Sequence, residues 1–309
     1  MKLSIVSTLY QSAPHLEEFY TRASAAAKAL AGDEYEIVLV NDGSPDDSLT
    51  IAIGLSEADA HVTVVDLSRN FGHHKAMMTG LDHARGELIF LIDCDLEEEP
   101  EWLSTFHDIL ETGAHDVVFG VQSQRKGSWF ERISGKLFYK IFNALSGIEL
   151  PQNLITARLM RKRYVKALLQ HKEREITIAA LWQITGFDQK AHTVKKLARS
   201  ATTYSLRRKI SLMANAITSF SNAPLVMIFN IGVVISFLAT LYIAYLLFNW
   251  VFLARPLSGW TSLIGSIWLL GGLIISFIGV IGLYLARIFT ETKQRPYTIV
   301  RQIYGRENE

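Results

Sequence analysis

The chain has 309 residues, a formal net charge of +1 and a hydrophobic fraction of 49%. This length suits one large domain or two ordinary ones. The near-zero charge excludes the global basic field that is typical of nucleic-acid-binding proteins. The single cysteine, Cys94, excludes an intrachain disulfide framework and fits a reducing compartment. The opening stretch "MKLSIVSTLYQSAPHLEE" turns polar too soon for a signal peptide, and we expect it to begin with a strand.

Short apolar runs alternate with helical patterns through the first part of the chain. The predicted strands are "LSIVSTLY", "YEIVLVND", "VTVVDLS", "ELIFLIDCD" and "DVVFGVQ". The predicted helices between them are "HLEEFYTRASAAAKALA", "DSLTIAIGLSEA", "HKAMMTGLDHARG" and "EPEWLSTFHDILETG". Alternation of β-branched strands with helices predicts an α/β fold with a mostly parallel sheet and helices on both faces.

Polar segments follow three of these strands: "TLYQSAP", "NDGSPDD" and "DCDLEEE". The carboxyl ends of parallel strands meet at one edge of the sheet, where such folds bind ligands. The sequence contains neither a GxGxxG dinucleotide fingerprint nor a GxxxxGK[ST] phosphate loop. Without a glycine-rich phosphate cradle, we expect a metal ion to provide much of the phosphate binding.

Asp93 and Asp95 stand on either side of one residue at the end of the fourth predicted strand. Strand alternation points both side chains the same way, and carboxylates suit Mg²⁺ or Mn²⁺. A solvated turn is the alternative, but the position after a buried strand favours a metal site. Glu97–Glu99 are interpreted mainly as helix-start charges before Pro100, and Cys94 as a small buried spacer.

Two uncharged apolar runs, Pro224–Leu253 and Leu263–Ala286, occupy the C-terminal third. Each exceeds the roughly 20 residues that cross a bilayer core, although buried core helices are the alternative. The connector 254–262 is short, which predicts a hairpin. Basic residues flank the hairpin on its outer ends: Lys195, Lys196, Arg199, Arg207, Arg208 and Lys209 before it, and Arg287, Lys293, Arg295, Arg301 and Arg306 after it. The positive-inside rule therefore predicts a multi-pass protein of the inner (plasma) membrane with both termini and the large domain cytoplasmic.

The segment "SLRRKISLMANAITSFSN" lies between the large domain and the first apolar run. Leu206, Ile210, Met213 and Ile217 recur there at helical spacing, with basic residues between the first two. This pattern fits an amphipathic helix at the membrane surface. A plain helix packed on the domain fits the same pattern equally well.

Four stretches carry a family resemblance: "VNDGSPDDS", "LSRNFGHHKAMMTGLDHARGE", "FLIDCDLEEEPEW" and "ARLMRKRYV". Together with the two apolar runs, they resemble the membrane-anchored family 2 glycosyltransferases of the polyprenyl-phosphate sugar synthase type, such as dolichyl-phosphate mannose synthases and bactoprenyl glucosyltransferases. The resemblance covers essentially the whole chain. It implies a GT-A nucleotide-sugar-binding domain with a Rossmann-like, mostly parallel sheet. The predicted domains are a cytoplasmic GT-A domain (1–200), a juxtamembrane amphipathic segment (201–223), membrane helices (224–253 and 263–286), an external loop (254–262) and a cytoplasmic basic tail (287–309).

The resemblance also implies roles for individual residues at the donor site. Asp42 would contact the nucleotide base, and Thr8 and Tyr10 would line the same pocket. Asp93 would touch the ribose or the donor sugar, while Asp95 would coordinate a divalent cation, Mg²⁺ or Mn²⁺, that bridges the diphosphate.

Other residues in or near the matched stretches are candidates for substrate contacts. Arg125 and Arg132 would hold phosphate groups and join Asp93 and Asp95 as catalytic candidates, although a solvated basic helix explains these two arginines equally well. The further substrate-binding candidates are Asn70, Lys75 and Arg158.

The function implied by the resemblance is an inverting, metal-dependent sugar transfer. The donor would be a nucleotide sugar of the UDP, GDP or dTDP type. The acceptor would be polyprenyl (undecaprenyl) phosphate at the cytoplasmic membrane face, which yields a lipid-linked sugar for cell-envelope glycosylation. A flippase, a downstream transferase or a second copy of the chain are candidate partners, and nucleic acid is not expected.

Two alternatives remain open at this point. A glycosyltransferase with a hydroxyl acceptor, or a processive polysaccharide synthase, would need an activating base. A processive synthase would also need more membrane spans and typically a Gln-x-x-Arg-Trp stretch, which the sequence lacks. An inactive membrane scaffold that presents a nucleotide-sugar-binding domain is the second alternative.

The sequence departs from the family pattern at three places. Asn41 stands where related sequences usually have Asp, and Ile155–Ala157 stand where they have Gly-Asp-Phe. The second departure argues against assuming glucose or mannose and admits a modified sugar. His73 and His74 replace a lysine-type position, and they are interpreted as a solvated loop pair rather than metal ligands.

Overall fold

A computed structural model describes residues 1–122, 153–173, 178–195, 221, 223–253 and 259–305. The chain forms two compact units. The first contains Met1–Tyr139, Ile148–Tyr204 and Arg295–Glu309, and the second contains Lys140–Gly147 and Ser205–Gln294. The first unit therefore includes segments of the chain from both before and after the apolar C-terminal helices.

The first unit is built on an eight-stranded sheet with the strand order β7-β5-β6-β4-β1-β2-β3-β8. The strands are β1 (Leu3–Leu9), β2 (Tyr35–Asn41), β3 (Val62–Leu67), β4 (Leu88–Leu91), β5 (Val117–Gln122), β6 (Leu154–Arg161), β7 (Gln189–Val194) and β8 (Val300–Tyr304). Neighbouring pairs among β4, β1, β2 and β3 are parallel, as is the β5–β7 pair. Among the described strands, β6 and β8 run antiparallel to their neighbours. The predicted mostly parallel α/β fold is confirmed.

The described helices of this unit are α1 (Ala13–Ala31), α2 (Ser48–Ala58), α3 (His73–His83), α4 (Trp102–Thr112), α5 (Lys162–Leu168) and α6 (Ile178–Ile184). The first four confirm the helices that the sequence predicted. Every residue of β1 and β2 is buried, because apolar layers cover both faces of the sheet.

Opposite faces of β1 contact different helices. Leu3, Ile5 and Leu9 belong to the core that includes α1 and α4. On the other face, α3 packs so closely that a Cβ on Gly80 would lie 2.5 Å from the Val6 side chain. Helices therefore hold the carboxyl end of β1 from both sides, which fixes the position of the residues that follow it.

Strands β6, β7 and β8 were not among the predicted strands. The structure differs most from expectation at β8, which lies within the 287–309 segment predicted as a basic tail and pairs with β3. Its five residues, "VRQIY", carry no clear alternation, and the strand forms because the edge of β3 offers unpaired backbone groups. The last part of the chain is therefore part of the sheet.

The second unit contains α7 (Ala223–Leu253) and α8 (Trp260–Thr292). Within them, Ala223–Tyr242 and Ser266–Thr292 are long and apolar enough to cross a membrane, by length and composition. The hydroxyl of Tyr284 donates a hydrogen bond to the Ser221 carbonyl at 2.7 Å. Most of the predicted surface segment 201–223 lies outside the described residues.

Candidate functional site

The strand order places a topological switch point beside β1. The chain passes from β1 to β2 and β3 on one side, and then reaches β4 on the other side of β1. The paired residues Val6 and Leu91 lie near the carboxyl ends of β1 and β4. Asp93 and Asp95 follow directly, at the crevice where open α/β sheets bind ligands.

Cys94 anchors the segment after β4 to the segment after β1. Its thiol donates to the Thr8 carbonyl at 3.2 Å and lies 3.1 Å from the Ser12 hydroxyl. Burial raises the pKa of Cys94 to about 12, so the thiol stays neutral. This arrangement agrees with the interpretation of Cys94 as a buried spacer, and it adds a specific tie between the two segments.

The backbone turns sharply after Asp95. A carboxylate oxygen of Asp95 accepts the Glu97 amide at 2.9 Å, and Leu96 adopts a left-handed conformation with φ 58°. Glu98 is fully buried, and one of its carboxylate oxygens accepts the Thr156 amide of β6 at 3.0 Å. The helix-start interpretation is therefore wrong for Glu98, because this side chain ties the turn to β6.

His73 connects the ends of β1 and β4. Its Nδ1 lies 2.9 Å from the Thr8 hydroxyl, and its Nε2 lies 3.4 Å from the nearest Asp93 carboxylate oxygen. Burial favours the neutral ring, but the bond to Asp93 and the charges of Asp93, Asp42 and Asp95 outweigh it and raise the pKa of His73. The His73 side chain is 49% exposed, as expected of a solvated residue, but its contacts with Thr8 and Asp93 were not predicted. The signal was its position in "LSRNFGHHKAMMTGLDHARGE", one of the stretches that carry the family resemblance.

Asp42 is buried beside the loop that leads into α3. Its two carboxylate oxygens accept the backbone amides of Phe71, at 2.7 Å, and Gly72, at 3.0 Å. Burial raises the pKa of Asp42, although these two bonds oppose the shift. In this structure the carboxylate holds the loop, and its contact with a nucleotide base stays a prediction.

The other sequence candidates lie at different depths. Tyr10 is half exposed, Asn70 is exposed, and Lys75 is partly buried in the first turn of α3. These three residues share the sheet edge with Thr8. Arg125 and Arg132 lie outside the described residues.

Arg158 is buried in β6, with 1% of its surface exposed. Its guanidinium carbon stacks 3.0 Å from the centre of the Trp182 ring. Among the described residues, its three guanidinium nitrogens have no hydrogen-bond partner. Burial lowers the pKa of Arg158 to about 9, while Tyr164 and Glu98 oppose that shift. The structure therefore places Arg158 inside the protein, and substrate contact stays a prediction.

Comparison with known proteins identifies the family of the chain. The sequence model of Glycosyl transferase family 2 matches residues 4–169. A Mycobacterium tuberculosis (strain CDC 1551 / Oshkosh) protein described as a glycosyltransferase is 50% identical over 99% of this chain and 89% of its own length. The Bacillus subtilis (strain 168) glycosyltransferase YkcC is 33% identical over 100% of this chain and 96% of its own.

A third relative has a more specific name. The prophage bactoprenol glucosyl transferase homolog of Escherichia coli (strain K12) is 31% identical over 98% of this chain and 99% of its own length. These relatives match from end to end, including the apolar helices. The match over residues 4–169 contains the switch point, Asp93 and Asp95. The chain therefore belongs to glycosyl transferase family 2 and is a glycosyltransferase.

Proposed function

We propose that this enzyme transfers a sugar from a nucleotide-sugar donor to polyprenyl phosphate at the cytoplasmic face of the inner membrane. The observation that carries the proposal is the pair of partly exposed carboxylates, Asp93 and Asp95, at the switch point of a chain that also has two long apolar helices. The name of the Escherichia coli relative, a bactoprenol glucosyl transferase homolog, supports a polyprenyl acceptor.

The donor would bind across the carboxyl ends of β1, β2 and β4. Thr8 and Tyr10 would line the nucleotide pocket, and Asn70 and Lys75 would approach it from the loop and helix held by Asp42. Asp93 would orient the ribose or the sugar. Because His73 lies between Thr8 and Asp93, it keeps these two side chains at a fixed separation.

The residues present fit a divalent cation shared with a diphosphate. In the described ranges, no group of three or more His, Cys, Asp or Glu side chains could hold a metal ion. Mg²⁺ is often held by one or two carboxylates, with substrate phosphates and water completing its shell. Asp95 would therefore hold Mg²⁺ or Mn²⁺, which when bound neutralises charge on the departing diphosphate.

The reaction needs little acid–base chemistry from the chain. A phosphate oxygen of the acceptor is already ionised near pH 7, so it can form a bond to the anomeric carbon without a general base. The bond from that carbon to the nucleoside diphosphate breaks, and the diphosphate leaves with the electron pair. Attack on the opposite face inverts the anomeric centre. The chain supplies position and charge, with Arg125 and Arg132 proposed as further phosphate contacts.

The proposed topology places both ends of the helical hairpin on the cytoplasmic side. Basic residues flank those ends, in agreement with the positive-inside rule. The sheet unit includes segments on both sides of the hairpin in the sequence. A chain that leaves and re-enters one unit through two membrane crossings needs both outer ends on one side, which supports this topology.

A transfer assay with the full-length protein tests the proposal. Purified protein in detergent receives undecaprenyl phosphate, Mg²⁺ or Mn²⁺ and a panel of labelled nucleotide sugars, and label is counted in the organic phase. We expect transfer from one donor, with EDTA abolishing it and Asp95→Ala lowering it at least 100-fold, the scale of one lost transition-state contact. Glu99→Ala removes a partly exposed carboxylate four positions away and serves as the matched control.

The outcomes separate the parts of the proposal. Transfer that survives EDTA and Asp95→Ala would contradict the metal site. In a parallel reaction, a sugar with free hydroxyls replaces the lipid, and label is counted in the aqueous product. Transfer to that sugar but not to undecaprenyl phosphate would overturn the proposed acceptor.

A further inference from the structure

We propose that the C-terminal strand β8 is a positioning element of the donor site, with Arg301 as its main positioning residue. The element it positions is loop 68–72, which connects β3 to α3. This inference rests on the proposed donor site at the carboxyl edge of the sheet. It assigns a role in that site to residues 298–304, which follow the two candidate membrane helices in the sequence.

The backbone pairing between β8 and β3 continues to the start of loop 68–72. The antiparallel register runs from Val64 opposite Tyr304 to Leu67 opposite Val300, with a shift between Asp66 and Leu67. One residue further, the Ser68 amide donates to the Ile299 carbonyl at 2.9 Å. The first residue of the loop is therefore held by the segment that leads into β8.

The Arg301 side chain also binds the end of β3 and the start of loop 68–72. Its Nη2 donates to the Ser68 carbonyl at 2.6 Å, and its Nη1 donates to Asp66 at 3.3 Å. Asp66 is only 1% exposed. A buried carboxylate needs a charged or hydrogen-bonded partner, and a guanidinium supplies both.

The network extends from Asp66 to the turn after β2. The second Asp66 oxygen accepts the side-chain amide of Asn41 at 2.8 Å, and the Asn41 side-chain carbonyl accepts the Ser44 amide at 3.2 Å. Asn41 and Asp66 are both buried. An aspartate at position 41 would set two buried carboxylates within hydrogen-bonding distance. The departure at Asn41 is therefore matched to Asp66.

Loop 68–72 is held equally firmly at its other end. Asp42 accepts the amides of Phe71 and Gly72. A Cβ on Gly43 would lie 2.5 Å from the Asn70 nitrogen, so the turn and the loop touch backbone to backbone. The loop therefore has two fixed ends, one held by Asp42 and the other by β8.

The segment before β8 also makes a hydrogen bond to α3. The hydroxyls of Thr298 and Thr79 are hydrogen-bonded at 2.8 Å. Helix α3 begins at His73, which contacts Thr8 and Asp93. A displacement of β8 would therefore shift loop 68–72 and α3, and with them the His73 contacts at the switch point. Since these contacts concern donor-side residues, we expect donor binding to depend on β8 more than the chemical step does.

The experiment compares Arg301→Ala and Arg301→Lys with the matched control Gln302→Ala in the full-length protein. Gln302 is the exposed next residue of β8, and its side chain is not part of the hydrogen-bond network that joins Arg301 to Asp66 and Ser68. Hydrogen–deuterium exchange of residues 68–72 reports on the loop without any need for activity. Donor KM and kcat report on the site.

We expect Arg301→Ala to speed exchange in residues 68–72 at least tenfold and to raise donor KM at least fivefold, with kcat within twofold of the wild type. Arg301→Lys restores part of both effects, because an ammonium keeps the charge but not the fork of donors. Gln302→Ala changes neither. Unchanged exchange in 68–72, or faster exchange with unchanged KM, would overturn the inference.

A second pair of variants keeps the test decisive if Arg301→Ala does not fold. Asn41→Asp should loosen residues 41–44 and 68–72, and adding Asp66→Asn should restore protection by removing the facing charge. A double variant that is as loose as Asn41→Asp would contradict the network. If the wild type transfers no sugar, the proposed function fails, while the exchange measurements still decide whether β8 holds the loop.

Discussion

One acidic segment follows β2 and another follows β4, on either side of β1 in the sheet. The carboxylates of the two segments have different roles. After β2, Asp42 accepts two loop amides, and Asp46 accepts the Ser44 and Ser48 hydroxyls. After β4, Asp93 keeps 20% of its side chain exposed beside His73. Position at the carboxyl edge thus predicts where carboxylates gather. Exposure and hydrogen-bond partners separate those that can meet a ligand from those that shape a loop.

The largest effect expected within the first segment comes from Asp42→Asn. The amide that replaces one carboxylate oxygen cannot accept a backbone N–H, so either the Phe71 or the Gly72 amide loses its partner. Leaving one buried donor unsatisfied costs about 1–3 kcal/mol. Denaturant unfolding of the purified protein measures the loss. The exposed neighbour Asp47→Asn is the control, and equal stability of the two variants would contradict the loop-holding role.

A smaller effect tests whether the second segment also contains a structural acid. Glu98→Gln keeps an acceptor for the Thr156 amide but removes charge near Arg158, and Arg158→Met removes the buried cation with little change in volume. Buried charges that face each other are coupled, so the double variant should be less destabilised than the sum of the singles, by about 1 kcal/mol. Unfolding measurements on the four proteins give this coupling. Strict additivity would show that the two charges do not interact.

The smallest effect is a pH dependence in the first segment. Burial of Asp46 opposes its ionisation, but the hydroxyls of Ser44 and Ser48 and the amides of Ala13 and Ser48 outweigh it and lower the pKa to about 2. The pKa of an aspartate in an unfolded chain is roughly 3.9. The stabilisation by Asp46 is therefore fully present above about pH 4 and is lost as pH falls through about 2.

Thermal unfolding of wild type and Asp46→Asn at several pH values measures this dependence. The wild type should be the more stable protein at pH 7, and the difference should shrink with acidification. A difference that does not change with pH would show that the carboxylate has no stabilising charge.

Much of the sheet was predictable because its first five strands are apolar, β-branched and separated by amphipathic helices. Their chain order also placed Asp93 and Asp95 at the carboxyl edge of the sheet. β6, β7 and β8 are mixed in composition, and their strand character comes from pairing partners distant in the chain. Arg301 and Asp66, for example, are 235 positions apart, which no local pattern can reveal.

The same reason explains the site residues that were missed or misread. His73 meets Thr8 across 65 positions, and Glu98 meets Thr156 across 58. From local sequence, the first looks like part of a polar loop and the second like a charge before a helix. Tertiary contacts place the first beside Thr8 and Asp93, and they make the second a tie between the turn after β4 and β6. For Asp42, the resemblance implies a contact with the nucleotide base, which stays a prediction, while its two hydrogen bonds to the loop backbone were not predicted.

The position of β8 after both apolar helices in the sequence has a consequence for biosynthesis. Until residues 300–304 leave the ribosome, the edge of β3 has no antiparallel partner, and Asp66 lacks its arginine. Both apolar helices must be synthesised before that happens. During this interval β3 presents an open strand edge of the kind that recruits other chains. The sheet of the first unit therefore gains β8 only after both apolar helices have been synthesised.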